Sequence, residues 1–411
     1  MTSKTMKSAD PIGEFYTKHP YPPPVENLDR ARDMWQDENV HRAEFHLFWP
    51  HQDYRAELDV LVAGCGTWQS AKFAVCHPNA RVQAIDIATT SLNHTALLAQ
   101  QYNLTNLELQ QLPIENAADL DHQFDLIVCT GVLHHLADPD AGVRALRSVL
   151  KPDGAMYLML YAPYGRAGVH ILQEYCRRLG VGTSQQEIED LSAVLKELPQ
   201  HHPLVSMLRG AREALDAEAL IDALLNPRDR AYTVPQVFDY VERNDLSFGR
   251  WYWQAPYSPR CGAITATPHA KRLVALPERE QYLEMELFRG LLTNHDFVAH
   301  HNEVNPDDVK VRFDDERYLR YVPIRRPWTI CVQERLPDGA AGALLNQTHL
   351  FNDLYLLINP TDKQMYDAID GRRSVAEIVA GVEGASAQAR NFFEELWWYD
   401  QVVFDTSKAV E

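Results

Sequence analysis

Two short stretches of the chain have the residue types and spacing of a nucleoside-binding site. The first, VLVAGCGTWQ (60–69), is an apolar run leading into Gly64 and Gly66, and the next apolar run ends in Asp86, 20 residues beyond Gly66. Glycines after a strand let the backbone approach a ligand closely, and a carboxylate at this distance is suited to ribose hydroxyls. Taken singly, the two features could be a plain tight turn and a helix cap. Together they predict a nucleoside-type cofactor, and Gln69 in place of a third glycine argues against a dinucleotide.

Four side chains elsewhere could transfer a proton. His134 and His135 follow the apolar run 124–129, and a neutral imidazole there could act as a base. The alternative is that one histidine packs beneath the cofactor and the other caps the next helix. Tyr16 and Tyr21 lie in an aromatic N-terminal segment that could close over the site or pack against the outside of the domain. No carboxylate spacing supports a metal site, so no metal is predicted.

The segment 57–161 supplies the elements that would position these residues. Short apolar runs alternate with helix-forming stretches, a pattern typical of a parallel sheet covered on both faces. We therefore predict a doubly wound α/β domain. Its predicted strands are 58–63, 81–85, 106–109, 124–129 and 156–161. A Lys-Pro-Asp-Gly turn at 151–154 is expected to stop the helix before the last strand.

Outside this segment the sequence predicts a mixture of elements. Three consecutive prolines predict extended chain over 15–24, and 168–225 is predicted to be a helical insertion. A helix and a strand are predicted over 233–253, and 276–300 is predicted to be helical again. The alternation in RYLRYV (317–322) predicts a strand.

Composition excludes several functional classes. The chain has 39 Lys and Arg against 57 Asp and Glu, a net charge of −18, which argues against nucleic acid or an anionic membrane as a partner. No apolar run in the sequence approaches the length of a membrane span, and MTSKTMKSAD lacks the apolar core of a secretory signal. Six scattered cysteines without a CxxC fit a reducing compartment, so we expect a cytoplasmic protein.

The stretch 57–161 resembles the core of class I S-adenosylmethionine-dependent methyltransferases. AGCGTWQ is similar to their glycine motif, AIDI (84–87) to their acidic ribose motif, FDLIVCTGVLHHL to their fourth motif and LKPDGAMYLML to their fifth. The GCGTxQ form, with GVLHHLADP, YGRAGV and RDRAYTV, resembles a bacterial branch of this family. Trp68 stands where many members have glycine, and its ring could narrow the methionine end of the site or pack beneath it.

This resemblance implies a Rossmann-like sheet and S-adenosylmethionine as the cofactor. Gly64 and Gly66 would pass close to the methionine and ribose, Asp86 would accept the ribose hydroxyls, and Ile87 would lie against the adenine. The implied cofactor-binding residues are Gly64, Cys65, Gly66, Thr67, Gln69, Asp86, Ile87, Leu112, Pro113, Thr130, Gly131 and Val132.

Six further residues are candidates for contact with the methyl acceptor. They are Tyr161, Tyr164, Arg166, Arg230, Tyr232 and Trp251. Arg166 could hold a carboxylate or pair with an acidic side chain. Arg230 and Tyr232 lie where the helical insertion rejoins the sheet, and a structural ion pair is the alternative there. Trp251 could stack on a substrate or belong to the core of the sixth strand.

The C-terminal region resembles a small winged-helix domain of the PqqD type. The similarity lies in INPTDKQMYDAIDGRRSVAEIV (358–379) and in a final helix leading to VVF (402–404). Such domains bind the leader of a ribosomally made precursor by adding it as a strand to a sheet edge. Five Lys and Arg against eleven Asp and Glu over 343–411 oppose DNA binding. A degenerate docking or dimerisation module is the alternative.

Three functions are consistent with these features. The first is a methyltransferase acting on a peptide or protein side chain, such as a precursor peptide recruited by the C-terminal domain. The second is a methyltransferase for a small-molecule metabolite, and the third is a non-catalytic cofactor-binding scaffold; a homodimer is an open alternative. The predicted domains are a lid (1–50), the cofactor-binding core (51–165), a helical insertion (166–230), the last helix and strands of the core (231–268), a connecting region (269–335) and the winged-helix-like domain (336–411).

Overall fold

A seven-stranded sheet forms the centre of the fold. The computed structural model describes residues 11–205 and 217–409. The strands of this sheet are β1 (Asp59–Ala63), β2 (Arg81–Asp86), β3 (Leu107–Gln111), β4 (Phe124–Thr130), β5 (Leu150–Tyr161), β6 (Leu246–Trp251) and β7 (Asn294–His301). Their order is β3-β2-β1-β4-β5-β7-β6. Strands β1 to β5 pair in parallel, whereas β6 pairs antiparallel with β7.

The order of the parallel strands identifies where a ligand should bind. Chain order runs outward from β1 to β3 on one side and from β4 to β5 on the other, so it reverses between β1 and β4. Ligands of open α/β sheets bind outside the carboxyl ends of the strands at such a reversal. The mostly parallel sheet with its flanking helices confirms the predicted doubly wound α/β fold.

Two compact units, interleaved along the sequence, make up the chain. The first comprises Met1–Asp29, Leu58–Thr233 and Gly290–His295, and the second comprises Arg30–Glu57, Val234–Arg289 and Asp296–Glu411. The described helices of the first unit are Pro11–Lys18, Gln69–Cys76, Thr89–Gln101, Pro139–Ser148, Ala167–Leu179, Gln185–Lys196 and Ala217–Leu225. Those of the second are Glu38–Phe48, Val234–Glu242, Ala270–Val274, Glu278–Arg289, Pro360–Asp367, Val375–Ala380 and Ala389–Trp398. Asp29–Met34 is a short helix at the first boundary along the chain.

Small antiparallel sheets complete the second unit. Their strands are β8 (Val322–Arg325), β9 (Thr329–Val332), β10 (Gly342–Asn346), β11 (Tyr355–Ile358) and β12 (Val402–Asp405). β10 lies between β9 and β11, and β12 pairs with β8. Buried side chains such as Leu344, Phe393 and Phe404 form the core beneath these strands, and their burial supplies most of the stabilisation.

Two predictions of local structure, one near the N-terminus and one at the start of β5, differ from the structure. Residues 15–18 belong to the helix Pro11–Lys18 rather than to extended chain, because Pro11 occupies the first helical turn, where proline is tolerated. The preceding helix ends at Ser148, as expected, but 151–154 lies within β5 and does not form a separate turn. The pairing of β5 with β4 shifts register there, and Lys151 Nζ donates to carboxylates of Asp59 and Asp125 at 2.8 Å each.

Two further predictions fail in the C-terminal half. The helix predicted over 276–300 stops at Arg289, and β7 follows. Gly290 has a φ of +62°, a left-handed conformation that commonly ends helices. RYLRYV forms a 3-10 helix, Glu316–Arg320, before β8 begins. Part of the helix predicted within 168–225 lies outside the described residues.

Candidate active site

The first unit contains a cavity of about 490 Å³ at the carboxyl ends of β1, β2, β4 and β5. This volume lies within the range of roughly 300–1,000 Å³ that small-molecule sites occupy. The cavity therefore coincides with the strand reversal at which ligand binding is expected.

Two glycines bring the backbone against this cavity. Gly64 and Gly66 have φ values of +70° and +55°, a conformation that L side chains rarely adopt. A Cβ on Gly64 would lie 2.4 Å from Val132 Cγ2, and one on Gly66 would lie 3.1 Å from the Tyr21 carbonyl oxygen. The turn therefore has room for backbone only, which fits a nucleoside-bearing cofactor.

Asp86 lies at the end of β2 and lines the cavity. Its carboxylate accepts hydrogen bonds from the backbone N–H groups of Gly66 at 2.9 Å and Ala88 at 2.8 Å. Burial raises the pKa of the Asp86 carboxyl, while these N–H donors oppose that shift. The bonds fix the carboxylate beside the glycine turn, and a carboxylate has lone pairs left for a diol.

The N-terminal segment is attached to the glycine turn. Thr67 Oγ1 donates to the Pro22 carbonyl at 2.6 Å, and Ile12, Tyr16, Tyr21 and Pro22 line the cavity. The segment predicted as a lid therefore contributes walls to this cavity.

The two adjacent histidines have different surroundings. His135 lines the cavity, and its Nδ1 is 2.6 Å from the Arg228 carbonyl oxygen. A carbonyl only accepts, so Nδ1 carries a proton, and in the neutral ring the lone pair is then on Nε2; among the described residues Nε2 has no hydrogen-bond partner. His134 is fully buried, its ring centroid lies 3.9 Å from that of Tyr161, and burial lowers its pKa well below the ordinary value. His134 therefore matches the packing alternative.

Two tyrosines in the cavity wall stay protonated near neutral pH. Tyr16 donates its hydroxyl to Asp222 Oδ1 at 2.7 Å, and burial followed by the charge of Asp222 raises its pKa well above the ordinary value. Burial likewise raises the pKa of Tyr161. Neither phenol is thus suited to accept a proton, although both can orient an acceptor.

Arg166 is held in a buried ion pair. Its NH2 donates to Asp229 Oδ2 at 3.0 Å, and Gln173 donates to the same oxygen at 2.7 Å. The guanidinium carbon lies 3.5 Å from the Tyr161 ring centroid, within cation–π range. Arg166 nevertheless lines the cavity, so it shapes the wall as well as pairing with an acidic side chain.

The structure brings together fifteen of the predicted site residues around this cavity. They are Tyr16, Tyr21, Gly64, Gly66, Gln69, Asp86, Ile87, Leu112, Pro113, Thr130, Gly131, Val132, His135, Tyr161 and Arg166. Their roles stay predictions, because this structure shows placement and not ligand contact.

The remaining seven predicted site residues do not line the cavity. They are Cys65, Thr67, His134, Tyr164, Arg230, Tyr232 and Trp251. Trp251 has an exposed fraction of 0%, so it is a core residue of β6 and not a surface for stacking. Arg230 donates to the Leu136 and Ala137 carbonyls, which is a structural role.

Several lining residues were not predicted from the sequence. Thr293 and Asn294 line the cavity from the start of β7, a strand that the sequence did not predict. Lys72 also lines it. Trp68, whose ring the sequence places either at the methionine end of the site or beneath it, lines the cavity and also packs against the cluster of Leu28 and Leu98. Lys72 lies one helical turn after Trp68, in the helix that follows the glycine motif. Counting by helical spacing from that motif would therefore have found it.

Residues 11–205 and 217–409 contain no group of three or more His, Cys, Asp or Glu side chains that could hold a metal ion. Within the same residues, every helix is too short or too polar to cross a membrane.

Comparison with known proteins identifies the domain that contains this cavity. Residues 61–156 match the methyltransferase domain family. A ubiquinone biosynthesis O-methyltransferase of Neisseria meningitidis is 28% identical over 157 residues, which are 36% of this chain and 66% of that protein. An uncharacterized protein of Synechococcus sp. is 29% identical over 274 residues, which are 65% of each chain. The chain thus spans just under two thirds of the length of these curated relatives.

A solved structure matches nearly the whole fold. PKMT2 from Rickettsia typhi superposes with a TM-score of 0.61 at 16% identity, covering 93% of this chain and 76% of that one. Its complex with AdoHcy gives a TM-score of 0.58 at 15% identity, covering 92% and 74%. Together with the family match, these findings confirm the predicted fold, enzyme class and cofactor for the domain: it is a methyltransferase domain that uses S-adenosylmethionine.

Proposed function

We propose that this chain is an active S-adenosylmethionine-dependent methyltransferase whose acceptor is a peptide or protein side chain. The observation that carries the proposal is the placement of His135. Its Nδ1 is fixed by the Arg228 carbonyl, its Nε2 is buried without a hydrogen-bond partner among the described residues, and the residue lines the same cavity as Asp86 and the glycine turn. One cavity thus contains both the residues proposed to hold the cofactor and a side chain proposed to act as a base.

In this proposal, different residues hold the cofactor, accept the proton and orient the methyl acceptor. Gly64, Gly66 and Asp86 hold the nucleoside part of the cofactor, which supplies an electrophilic methyl group when bound. His135 Nε2 accepts the proton of an incoming side-chain nucleophile. Tyr16 and Tyr161 orient that side chain and exclude water, and orientation alone can contribute several kcal/mol to the barrier lowering.

An open sheet face in the second unit supports recruitment of a peptide. Ile330, Val332, Tyr355 and Leu357 are exposed by 40%, 37%, 43% and 44%. They lie on one face of the three-stranded sheet, because Ile330 and Tyr355 both pair with Leu345, while Val332 and Leu357 both pair with Ala343. We call these four residues the open sheet face.

An extended peptide is the occupant that fits this surface. β9 and β11 are the two edges of their sheet in the described chain, and an edge strand can pair with an added strand. Alternate apolar side chains of such a peptide would continue the open sheet face. The acidic balance over 343–411, five Lys and Arg against eleven Asp and Glu, favours a peptide rich in basic residues. The PqqD-like interpretation of this region is part of the same proposal.

A small-molecule acceptor is the second candidate function. The relative from Neisseria meningitidis favours it, since that protein is a ubiquinone biosynthesis O-methyltransferase. Against it, the described residues of the helical insertion 166–230 contribute only Arg166 to the cavity wall. The described residues of this insertion therefore do not build a roof that encloses a small substrate.

The test uses methyl-labelled S-adenosylmethionine and a host extract separated by size. Label in the peptide or protein fraction, lost with His135→Asn, is the expected result, and the modified residue is then mapped. Label only among small molecules would replace the proposal by the metabolite function. Label in neither fraction, together with failure to bind the cofactor in calorimetry, would reject the proposal and leave a non-catalytic protein that only keeps the fold.

A further inference from the structure

A second cavity, of about 290 Å³, lies entirely within the second unit. Its wall includes the cationic side chains Arg250, Lys310 and Arg312, one acidic side chain, Glu278, and the ring of Trp397. It shares no lining residue with the cavity that contains the glycine turn. A cationic cavity is unexpected in a chain of net charge −18.

Arg250 is the central charged group of this cavity. Its side chain is 10% exposed, its Nε donates to the Trp251 carbonyl at 3.0 Å, and its NH2 is 3.7 Å from Asp400 Oδ1. The NH1 group is buried and has no acceptor among the described residues. A buried guanidinium donor without an acceptor is costly, so Arg250, which lines this cavity, has an unfilled hydrogen-bonding position.

The neighbouring charges do not neutralise Arg250. Asp400 already accepts from the Ala255 N–H at 2.9 Å and contacts His349 Nε2 at 3.2 Å, and Arg326 NH1 approaches it to 3.6 Å. One buried carboxylate therefore faces two guanidinium groups. Burial, and then the charge of Arg326, lower the pKa of Arg250 to about 10, while Asp400 opposes this shift.

The other charged pair of the cavity compensates itself. Lys310 Nζ donates to Glu278 Oε2 at 2.9 Å, so these two residues add no net charge. The positive charge that this pair leaves in the wall is thus centred on Arg250.

Aromatic rings form another part of the wall. The Arg250 guanidinium carbon lies 4.1 Å from the ring centroid of Trp397, and Tyr282 and Trp398 also line the cavity. Such rings offer flat apolar contact area to a planar ligand group. A positively charged side chain beside flat apolar rings is suited to a ligand that has both a negative charge and a planar apolar group.

We propose that this cavity binds a small oxyanion, a carboxylate or a phosphate monoester, attached to a planar apolar group. The free NH1 of Arg250 donates to the oxyanion, and the rings of Trp397, Trp398 and Tyr282 pack against the planar group. The site is separate from methyl transfer and does not depend on the identity of the methyl acceptor.

Calorimetry on the full chain tests the proposal with three probes: inorganic phosphate, phenyl phosphate and benzoate. We expect saturable binding of one equivalent of phenyl phosphate or benzoate, about threefold tighter than inorganic phosphate because of the apolar contact. Whichever of the two aromatic probes binds more tightly assigns the oxyanion. Failure of all three to bind saturably would overturn the proposal.

Variants locate the binding site. Arg250→Met is expected to weaken binding at least about tenfold through loss of a charge-assisted hydrogen bond, and Arg250→Lys to weaken it less. Arg279→Met is the matched control, since Arg279 is 57% exposed, pairs with Glu242 and does not line the cavity. Unchanged affinity in Arg250→Met would reject the site.

A second variant keeps the test decisive if Arg250→Met does not fold. Trp398→Leu retains Arg250 but removes an aromatic wall. We expect it to reduce the advantage of phenyl phosphate over inorganic phosphate while leaving inorganic phosphate binding within about twofold. An unchanged advantage would contradict the assigned geometry.

Discussion

At the scale of single residues, Asp86 is the group on which cofactor binding should depend most. It is 9% exposed and is fixed by two backbone N–H donors. Because hydrogen bonds to a charged group contribute about 1.5–3 kcal/mol each, Asp86→Ala is expected to weaken S-adenosylmethionine binding at least about tenfold. Calorimetry measures this affinity, with exposed Asp121→Ala as the control. Equal affinities in the two variants would reject the placement of the ribose at Asp86.

His135 is the residue on which the chemical step should depend. His135→Asn removes the Nε2 lone pair and can keep a donor toward the Arg228 carbonyl. General bases contribute about 10²–10⁴-fold, so we expect kcat to fall about hundredfold with cofactor affinity within about twofold. Single-turnover kinetics measure the step, and added imidazole should restore part of the rate. Tyr164→Phe, at an exposed residue outside the cavity wall, should keep the normal rate.

At the scale of elements, the turn after β1 depends on its fit against the loop after β4. A Cβ on Gly64 would lie 2.4 Å from Val132 Cγ2, and Gly64 has a φ of +70°. Gly64→Ala is therefore expected to reduce the free energy of unfolding by about 1–3 kcal/mol. Adding Val132→Ala should recover the part that comes from the clash but not the backbone strain. Denaturant unfolding measures both variants; a double variant no more stable than Gly64→Ala would show that strain alone is responsible.

Ion pairs join the start of β5 to β1 and β4, and they predict that the stability of the fold depends on pH. Hydrogen bonds from Lys151 and His122 lower the pKa of Asp59 below its ordinary value, against the effect of burial. A carboxyl whose folded-state pKa is lowered contributes stability above its unfolded-state pKa and loses it as pH falls through the folded-state value. Lys151→Met should therefore reduce stability near neutral pH and flatten its loss on acidification below about pH 4. Thermal unfolding across this pH range, with exposed Arg177→Met as the control, measures the difference.

The sequence predicted the elements that local pattern determines. The runs ending at Gly64 and Asp86 are continuous apolar segments followed by turn residues, and both lie at the cavity. The wall formed by Thr293 could not be predicted, because β7 follows a helix with no apolar alternation to separate them. The distinction between His134 and His135 depends on the Arg228 carbonyl, 93 residues away, and no local pattern carries that information.

At the scale of the whole molecule, the two compact units carry different chemistry. The first holds the glycine turn, Asp86 and His135, all of which follow strands of a parallel sheet. The second holds the open sheet face and the Arg250 cavity. Methyl transfer and acceptor recruitment should therefore be separable by substitution, because the proposed residues of each lie in different units.

Substitution in the open sheet face is expected to affect recruitment alone. Leu357→Glu places a charge among apolar side chains on an edge strand, which disfavours strand addition. We expect the KM for a peptide acceptor to rise at least about fivefold, with cofactor affinity and kcat within about twofold, since the cavity wall contains no residue of β11. Leu350→Glu is the matched control, because Leu350 belongs to the same unit and is 74% exposed but lies outside the strands. Steady-state kinetics with the mapped acceptor peptide measure both variants, and an equal KM in Leu357→Glu and Leu350→Glu would place peptide recruitment elsewhere on the chain.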